Sequence, residues 1–314
     1  MNRQAGSRRT ALSSRGADLP SREKASGRSG ANRRPGGHAL QRAAAGVTFA
    51  LLAAAGPGAG SARAAAACFL AVDPASGAVL AEQAAPATAC TSREPPNSTF
   101  KVALALMGFE AGLLQGADAP VFTPPPDADL SRPETRGPQT PASWMRHSVV
   151  WVSQVLAREL GPARIAADLA RLDYGNRDMS GIAGAGDPLI RFWLSSSLRI
   201  SAREQVGFLS RMLTGRLPVT PAAVAGTEHL MAIASPFPGW ALFGKTGTGN
   251  RRHADGRLDP ERPFGWFVGF ARTSGRTVVF ARFLALDERS TEPLGPQARR
   301  QALEALGALL APGK

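Results

Sequence analysis

The apolar positions of the chain change period as it is read from residue 69 onward. Phe69 to Val72 and Ala78 to Leu80 are short apolar runs on either side of Asp73-Pro74-Ala75-Ser76-Gly77, which predicts strand, turn and strand. Pro95 and Pro96 cannot continue a helix, and beyond them Val102, Leu106, Phe109 and Leu113 recur at spacings of four and three. That spacing predicts a helix starting near Ser98 with one face in a core. Seven prolines between Pro120 and Pro141 predict a long irregular loop of the kind that borders a site. Helical patterns follow over Val150 to Leu160 and from Pro162 to Leu172, where Tyr174-Gly175-Asn176 breaks the second. Ser201-Ala202-Arg203-Glu204 is a capping box opening a helix through Met212, and Thr220-Pro221 opens another through Ile233. Trp240 to Gly247, Phe264 to Ala271 and Thr277 to Leu286 read as strands, and Gln297 to Leu310 as a closing amphipathic helix.

Strands at both ends with helices between them do not alternate as a parallel sheet requires. The pattern predicts an α+β fold: an antiparallel sheet built from both chain termini, flanked by helices, with a helical region inserted. In that arrangement Ser98 and Lys245 reach one cleft despite their separation in sequence.

Charge and composition divide the chain into a leader, residues 1–67, and a single domain, residues 68–314. Of 37 Arg and Lys, eleven lie in residues 1–67 against Asp18 and Glu23 alone, so most of the net charge of +13 belongs to this stretch. Residues 68–314 keep only a small positive excess, which argues against nucleic acid as a partner. Residues 1–42 are rich in Arg, Ser and Gly; the short apolar run Ala43 to Ala55 and small residues up to Ala67 follow. Basic, then apolar, then small is the order of a secretory signal, and the run is too short for a stable membrane span. Residues 1–67 are therefore read as an exported leader, and the mature protein as periplasmic or secreted. Export favours a disulfide between Cys68 and Cys90, the only cysteines, over lipidation of Cys68 or two free thiols.

Lysine usage marks the candidate chemistry. Only Lys24, Lys101, Lys245 and Lys314 are lysine, whereas arginine supplies positive charge elsewhere. A proton-transfer role needs an amine, because guanidinium stays charged. Ser98 and Lys101 lie three residues apart on one helix face, a nucleophile beside a base. The spacing alone is weak, since Ser21-Arg22-Glu23-Lys24 repeats it in the leader. His38, His147, His229 and His253 show no ligand spacing, so no metal is expected. A Ser-His-Asp triad using His147 explains fewer of these residues than the lysines do.

Ser148-Val149-Val150, Tyr174-Gly175-Asn176, Phe192-Trp193-Leu194, Lys245-Thr246-Gly247 and Gly265-Trp266-Phe267-Val268-Gly269 follow Ser98 and Lys101 in order. The ordered set resembles the penicilloyl-serine transferase superfamily, and within it the class D β-lactamases, over the chain from about Cys68 to the final helix. Valine in place of the Asp-Asn of class A after Ser148, and the lack of a class A glutamate motif, separate it from that class. The resemblance implies hydrolysis of β-lactam antibiotics through a Ser98 acyl-enzyme, with Lys101 carbamylated (N6-carboxylysine) as general base. Carbon dioxide would be the source of the carbamate, with no other cofactor. It further implies that Trp193 donates to that carbamate, Val150 keeps its surroundings apolar and Ser148 relays a proton. Lys245, Thr246, Gly247 and Arg299 would hold the substrate carboxylate end, Ser98 and Thr248 the oxyanion, and Tyr174 and Asn176 would wall the cleft. Arg300 is the neighbour that competes with Arg299. The alternative is a β-lactam-sensing or penicillin-binding domain that acylates but deacylates slowly.

Overall fold

The computed structural model describes residues 64–184 and 186–311. The leader expected over residues 1–67 lies outside them except at its end. There the boundary moves: Ala66 and Ala67 already belong to the first strand, paired with Ala285 and Leu284. Alanine satisfies a small-residue signal end and a crowded strand equally well, so composition did not separate the two.

Strand β1 (Ala66–Val72) turns into β2 (Val79–Ala85), and the chain then enters the helical region. That region holds α1 (Lys101–Glu110), α2 (Pro141–His147), α3 (Val150–Arg171), α4 (Ala202–Leu213) and α5 (Pro221–Met231). The chain returns as β3 (Ala232–Ile233), β4 (Ala241–Arg252), β5 (Leu258–Arg272) and β6 (Thr277–Ala285), and closes with α6 (Leu294–Leu310). The order across the sheet is β2-β1-β6-β5-β4-β3, and every pairing is antiparallel. The first and last strands meet as β1 and β6, which is the closure by both ends that the pattern predicts.

Alternation along the strands assigns the two faces of the sheet. Phe69, Phe267, Phe280 and Leu284 point to one face and bury Ala298, Ala302 and Leu306 of α6. Leu70, Trp266, Val268 and Phe283 point to the other, against α1 and α4. Helix α1 differs from expectation. Lys101 to Gly108 are buried without interruption, so the helix is enclosed by the core instead of turning one face to it. Helix α3 is broken at Gly161, which takes φ 73° and ψ 161° ahead of Pro162, so the two helical patterns predicted after residue 150 lie on either side of that break. Helix α2 was not predicted; Thr140 caps it and Pro141 opens it, signals hidden among the prolines of the preceding loop. The cysteines form the disulfide Cys68–Cys90. Among the described residues no helix is long and apolar enough to cross a membrane.

Candidate active site

The site is built around a single 3-10 turn, Asn97–Phe100, which leads into α1. Between Glu94 and Gly108 every residue is buried except Ser98, which is partly exposed. Four parts of the fold hold the turn in place. The Trp266 indole on β5 donates to the Pro95 carbonyl at 3.0 Å, and Gln205 on α4 donates to Thr99 Oγ1 at 2.9 Å. Asn97, at φ 46°, accepts from the Ser195 N–H at 2.5 Å and donates to the Thr248 carbonyl of β4 at 2.8 Å. Its own N–H donates to the Trp193 carbonyl at 3.1 Å. Asparagine tolerates the left-handed region and brings an amide that bonds at both ends. Sequence reading missed Asn97, although Pro-Pro-Asn before the serine was the available signal.

Glycine in β4 lets this turn sit directly on the strand. A Cβ on Gly247 would stand 2.8 Å from the Pro96 carbonyl oxygen, and one on Gly249 would meet the Asn97 amide at 1.8 Å. The close approach that Gly247 allows is that of the protein's own backbone. In a strand a residue's N–H and C=O point the same way. Because the Thr248 carbonyl is taken by Asn97, the Thr248 N–H also faces the Ser98 turn. Strand β3 pairs only with Leu242 and Phe243, so from Gly244 onward the outer edge of β4 borders the cleft.

Two amines converge on two hydroxyls. Lys101 Nζ lies 3.5 Å from Ser98 Oγ. Lys245 Nζ donates to Ser148 Oγ at 2.9 Å and to the Thr246 carbonyl at 2.9 Å. Lys101 is 1% exposed and Lys245 4%, and among the described residues neither has a carboxylate partner. Burial, followed by the charges of Lys245 and Arg132, holds the Lys101 amine well below the ordinary lysine range. Burial, followed by the Arg132 charge, brings Lys245 down to about 7. Ser148 ends α2 in the left-handed region, at φ 56° and ψ 42°. A serine there costs free energy, and such outliers cluster at functional sites. Arg132 extends from the proline-rich loop and donates to the His147 carbonyl at 2.7 Å, one residue before Ser148.

A cavity of about 510 Å³ continues from Lys245 and Thr246 past Gly244, and Arg299 of α6 lines it. Arg300 points elsewhere and pairs with Glu292. The geometry therefore places Arg299, and not Arg300, on the cavity wall. Val150 opens α3 two residues after Ser148. Trp193 is buried, its ring 5.4 Å from Phe100, the residue preceding Lys101.

Tyr174 is not where the sequence put it. Tyr174 is fully buried and packs edge-on against Phe100 and Phe208. Its hydroxyl faces Thr99 and Gln205, which bond to one another, and burial raises its pKa. It supports the nucleophile turn from behind instead of walling the cleft, because its ring fills the core behind Phe100. The Asn176 amide bonds Arg199 N–H and the Ser197 carbonyl, both at 2.8 Å, and so ties two loops together.

A buried amine beside an accessible serine, with a second amine on another serine, defines a serine acyl-transfer site. The penicillin binding protein transpeptidase domain model matches residues 67–301. Beta-lactamase OXA-9 of Klebsiella pneumoniae is 40% identical over 70% of this chain and 81% of its own. The crystal structure of OXA-427 class D β-lactamase superposes with a TM-score of 0.72 at 37% identity, covering 78% of this chain and 98% of that one. The C-terminal domain of the Bacillus licheniformis BlaR penicillin-receptor superposes at 0.66 with 25% identity, covering 78% and 92%. The chain belongs to the penicillin-binding transpeptidase family and, within it, to the class D β-lactamases.

Proposed function

We propose that the protein hydrolyses β-lactam antibiotics through an ester on Ser98 and that the Lys101 side chain moves the proton in both halves of the cycle. One observation carries this reading: the only accessible residue of a buried run is a hydroxyl, 3.5 Å from an amine that burial keeps from charging. The Lys101 side chain takes the proton as Ser98 Oγ bonds to the β-lactam carbonyl carbon. The N–H groups of Ser98 and Thr248 hold the oxygen that gains the charge. As the ring C–N bond breaks, Ser148 Oγ hands its proton to the nitrogen and takes in its place the one Lys101 drew from Ser98, which leaves Lys101 unprotonated again, while Lys245 keeps that hydroxyl in place. Lys245, Thr246 and Arg299 take the ring carboxylate. Water then attacks the ester, its proton passes to the Lys101 side chain, and Ser98 leaves with a proton restored.

The residues around Lys101 suit a carbamate. A neutral buried amine is nucleophilic toward carbon dioxide, and the anion so formed would lie near the Lys245 and Arg132 charges in place of a missing carboxylate. Bound carbon dioxide supplies a carboxylate-like oxygen as the base for deacylation. The Trp193 indole N–H and the Val150 side chain are the groups that would hold and shield it. The disulfide supports export, so the mature protein is read as periplasmic or secreted.

Likeness to a penicillin-receptor domain favours one second reading, a sensor that acylates and stays acylated. Mass spectrometry after mixing with a slowly hydrolysed β-lactam tests the chemistry. The adduct is expected on Ser98, and Ser98→Ala should lose turnover by at least about a thousandfold with its fold retained. Carbon-13 bicarbonate should give a labelled carbamate signal that Lys101→Ala lacks. An adduct on another residue refutes the nucleophile, and an unlabelled wild type leaves Lys101 as a plain amine.

A further inference from the structure

The positive groups around the cavity beside Lys245 exceed what one ring carboxylate requires. Along β4 the chain passes from the oxyanion donor Thr248 to Thr246 and Lys245, then to Gly244. At about 3.3 Å per residue, Gly244 lies some ~7 Å beyond Thr246, farther from the reacting carbonyl. The cavity extends in that direction. Arg299 of α6 borders it, and so do Arg146 of α2 and His229 of α5, while no Asp or Glu lines it. Among the described residues, none of these three has an ion-pair partner, and Arg299 lies only against the Phe267 ring. Some arginines elsewhere are matched, Arg203 with Glu82, Arg272 with Glu228 and Arg300 with Glu292, while others such as Arg199 and Arg252 have no ion-pair partner among the described residues. Two arginines and no acid therefore face the carboxylate end of the cleft, in a space of about 510 Å³ that a carboxylate alone does not fill.

We propose that this cavity is a subsite for a second anion, which selects β-lactams bearing an additional carboxylate or sulfonate on the ring side of the molecule, away from the acyl side chain. The fitting class is a cephalosporin with an acidic substituent at the 3-position. Arg146 is the discriminating residue, since Lys245, Thr246 and Arg299 already serve the ring carboxylate. The proposal rests on the hydrolytic reading above. An exposed ion pair changes affinity modestly, so the effect sought is a change in preference and not loss of activity.

The test uses two cephalosporins with the same acyl group and with 3-substituents of equal size joined through carbon, one ending in a carboxylate and one in the amide. The wild-type enzyme should show higher kcat/KM for the carboxylate, and added salt should narrow the gap. Arg146→Gln should lower that preference by about two- to fivefold. Arg146→Glu should lower it further, while both variants keep wild-type kcat/KM on the amide. A preference unchanged in both variants overturns the subsite, as does equal loss on both substrates, which marks Arg146 as merely structural. If the wild type turns over the amide without favouring the carboxylate, the subsite alone fails. If it turns over neither, the hydrolytic reading fails and the subsite with it.

Discussion

Arg132 shows how a single side chain sets the chemistry of groups it does not touch. Its guanidinium grips the His147 carbonyl, and its charge helps to lower the proton affinity of both buried lysines. Glu134 is its carboxylate partner; Arg146 and His147 of α2, His229 of α5 and Arg299 of α6 are the other titratable groups bordering this end of the cleft. A base must be unprotonated to accept a proton, so activity is present above its folded pKa and lost as pH falls through it. Arg132→Gln removes a like charge and raises that pKa, and the acid limb of the kcat/KM profile should move to higher pH. Arg132→Lys keeps the charge and should leave the limb near wild type. A limb that stays in place in both variants would assign Arg132 to packing alone. Ser98, Lys101 and Lys245 were legible because a chain that otherwise chooses arginine keeps lysine at only two positions between residue 68 and the last residue, one of them three residues after a serine. Asn97 and Arg132 were not, since their roles depend on partners about 100 or more residues away or on a carbonyl with no sequence signature. Tyr174 was misread for a related reason: being the only tyrosine marks a residue as unusual but does not say on which side of the turn it packs.

At the scale of elements, the sheet was legible because its faces alternate and its closing strands carry Phe, Val and Trp. Boundaries were not. At their shared hairpin β4 runs on past the expected Gly247 to Arg252 and β5 begins at Leu258, ahead of the expected Phe264, because glycine, arginine and proline there disguise continued pairing. Helix α1 was placed correctly but its surroundings were not, since alanine at 103 and 105 reads as neutral in a periodic pattern while permitting burial all round. The disulfide joins β1 to the short turn that follows β2 and fixes how the first hairpin meets the segment leading to Ser98. Closing that loop restricts the unfolded chain, so Cys90→Ser should cost about 2–4 kcal/mol in urea unfolding. The acyl-enzyme should still form at low temperature, because neither sulfur touches the site. Unchanged stability would show that β1 and β2 are held without the bond.

At the scale of the whole fold, two buried amines have no carboxylate partner among the described residues, an arrangement that stability alone would not retain. Lys245 titrates at about 7 in the folded protein against 10.5 unfolded. Between those values the unfolded chain binds a proton that the folded one does not, so wild-type stability falls as pH drops from 10.5 to 7, by an amount on the order of 5 kcal/mol. Lys245→Met removes this penalty along with the activity. It should melt several degrees above wild type at pH 7, and the gap should close as pH rises toward 10.5. A variant that melts lower at every pH would mean that the bonds to Ser148 and the Thr246 carbonyl outweigh the burial of the amine. The fold itself serves hydrolases and receptors alike, and what separates them is the release of the acyl group. The most direct measurement is therefore the number of nitrocefin molecules opened per molecule of purified protein, with bicarbonate present. Steady hydrolysis far beyond one equivalent is the result predicted here; a burst that stops at one equivalent would contradict it.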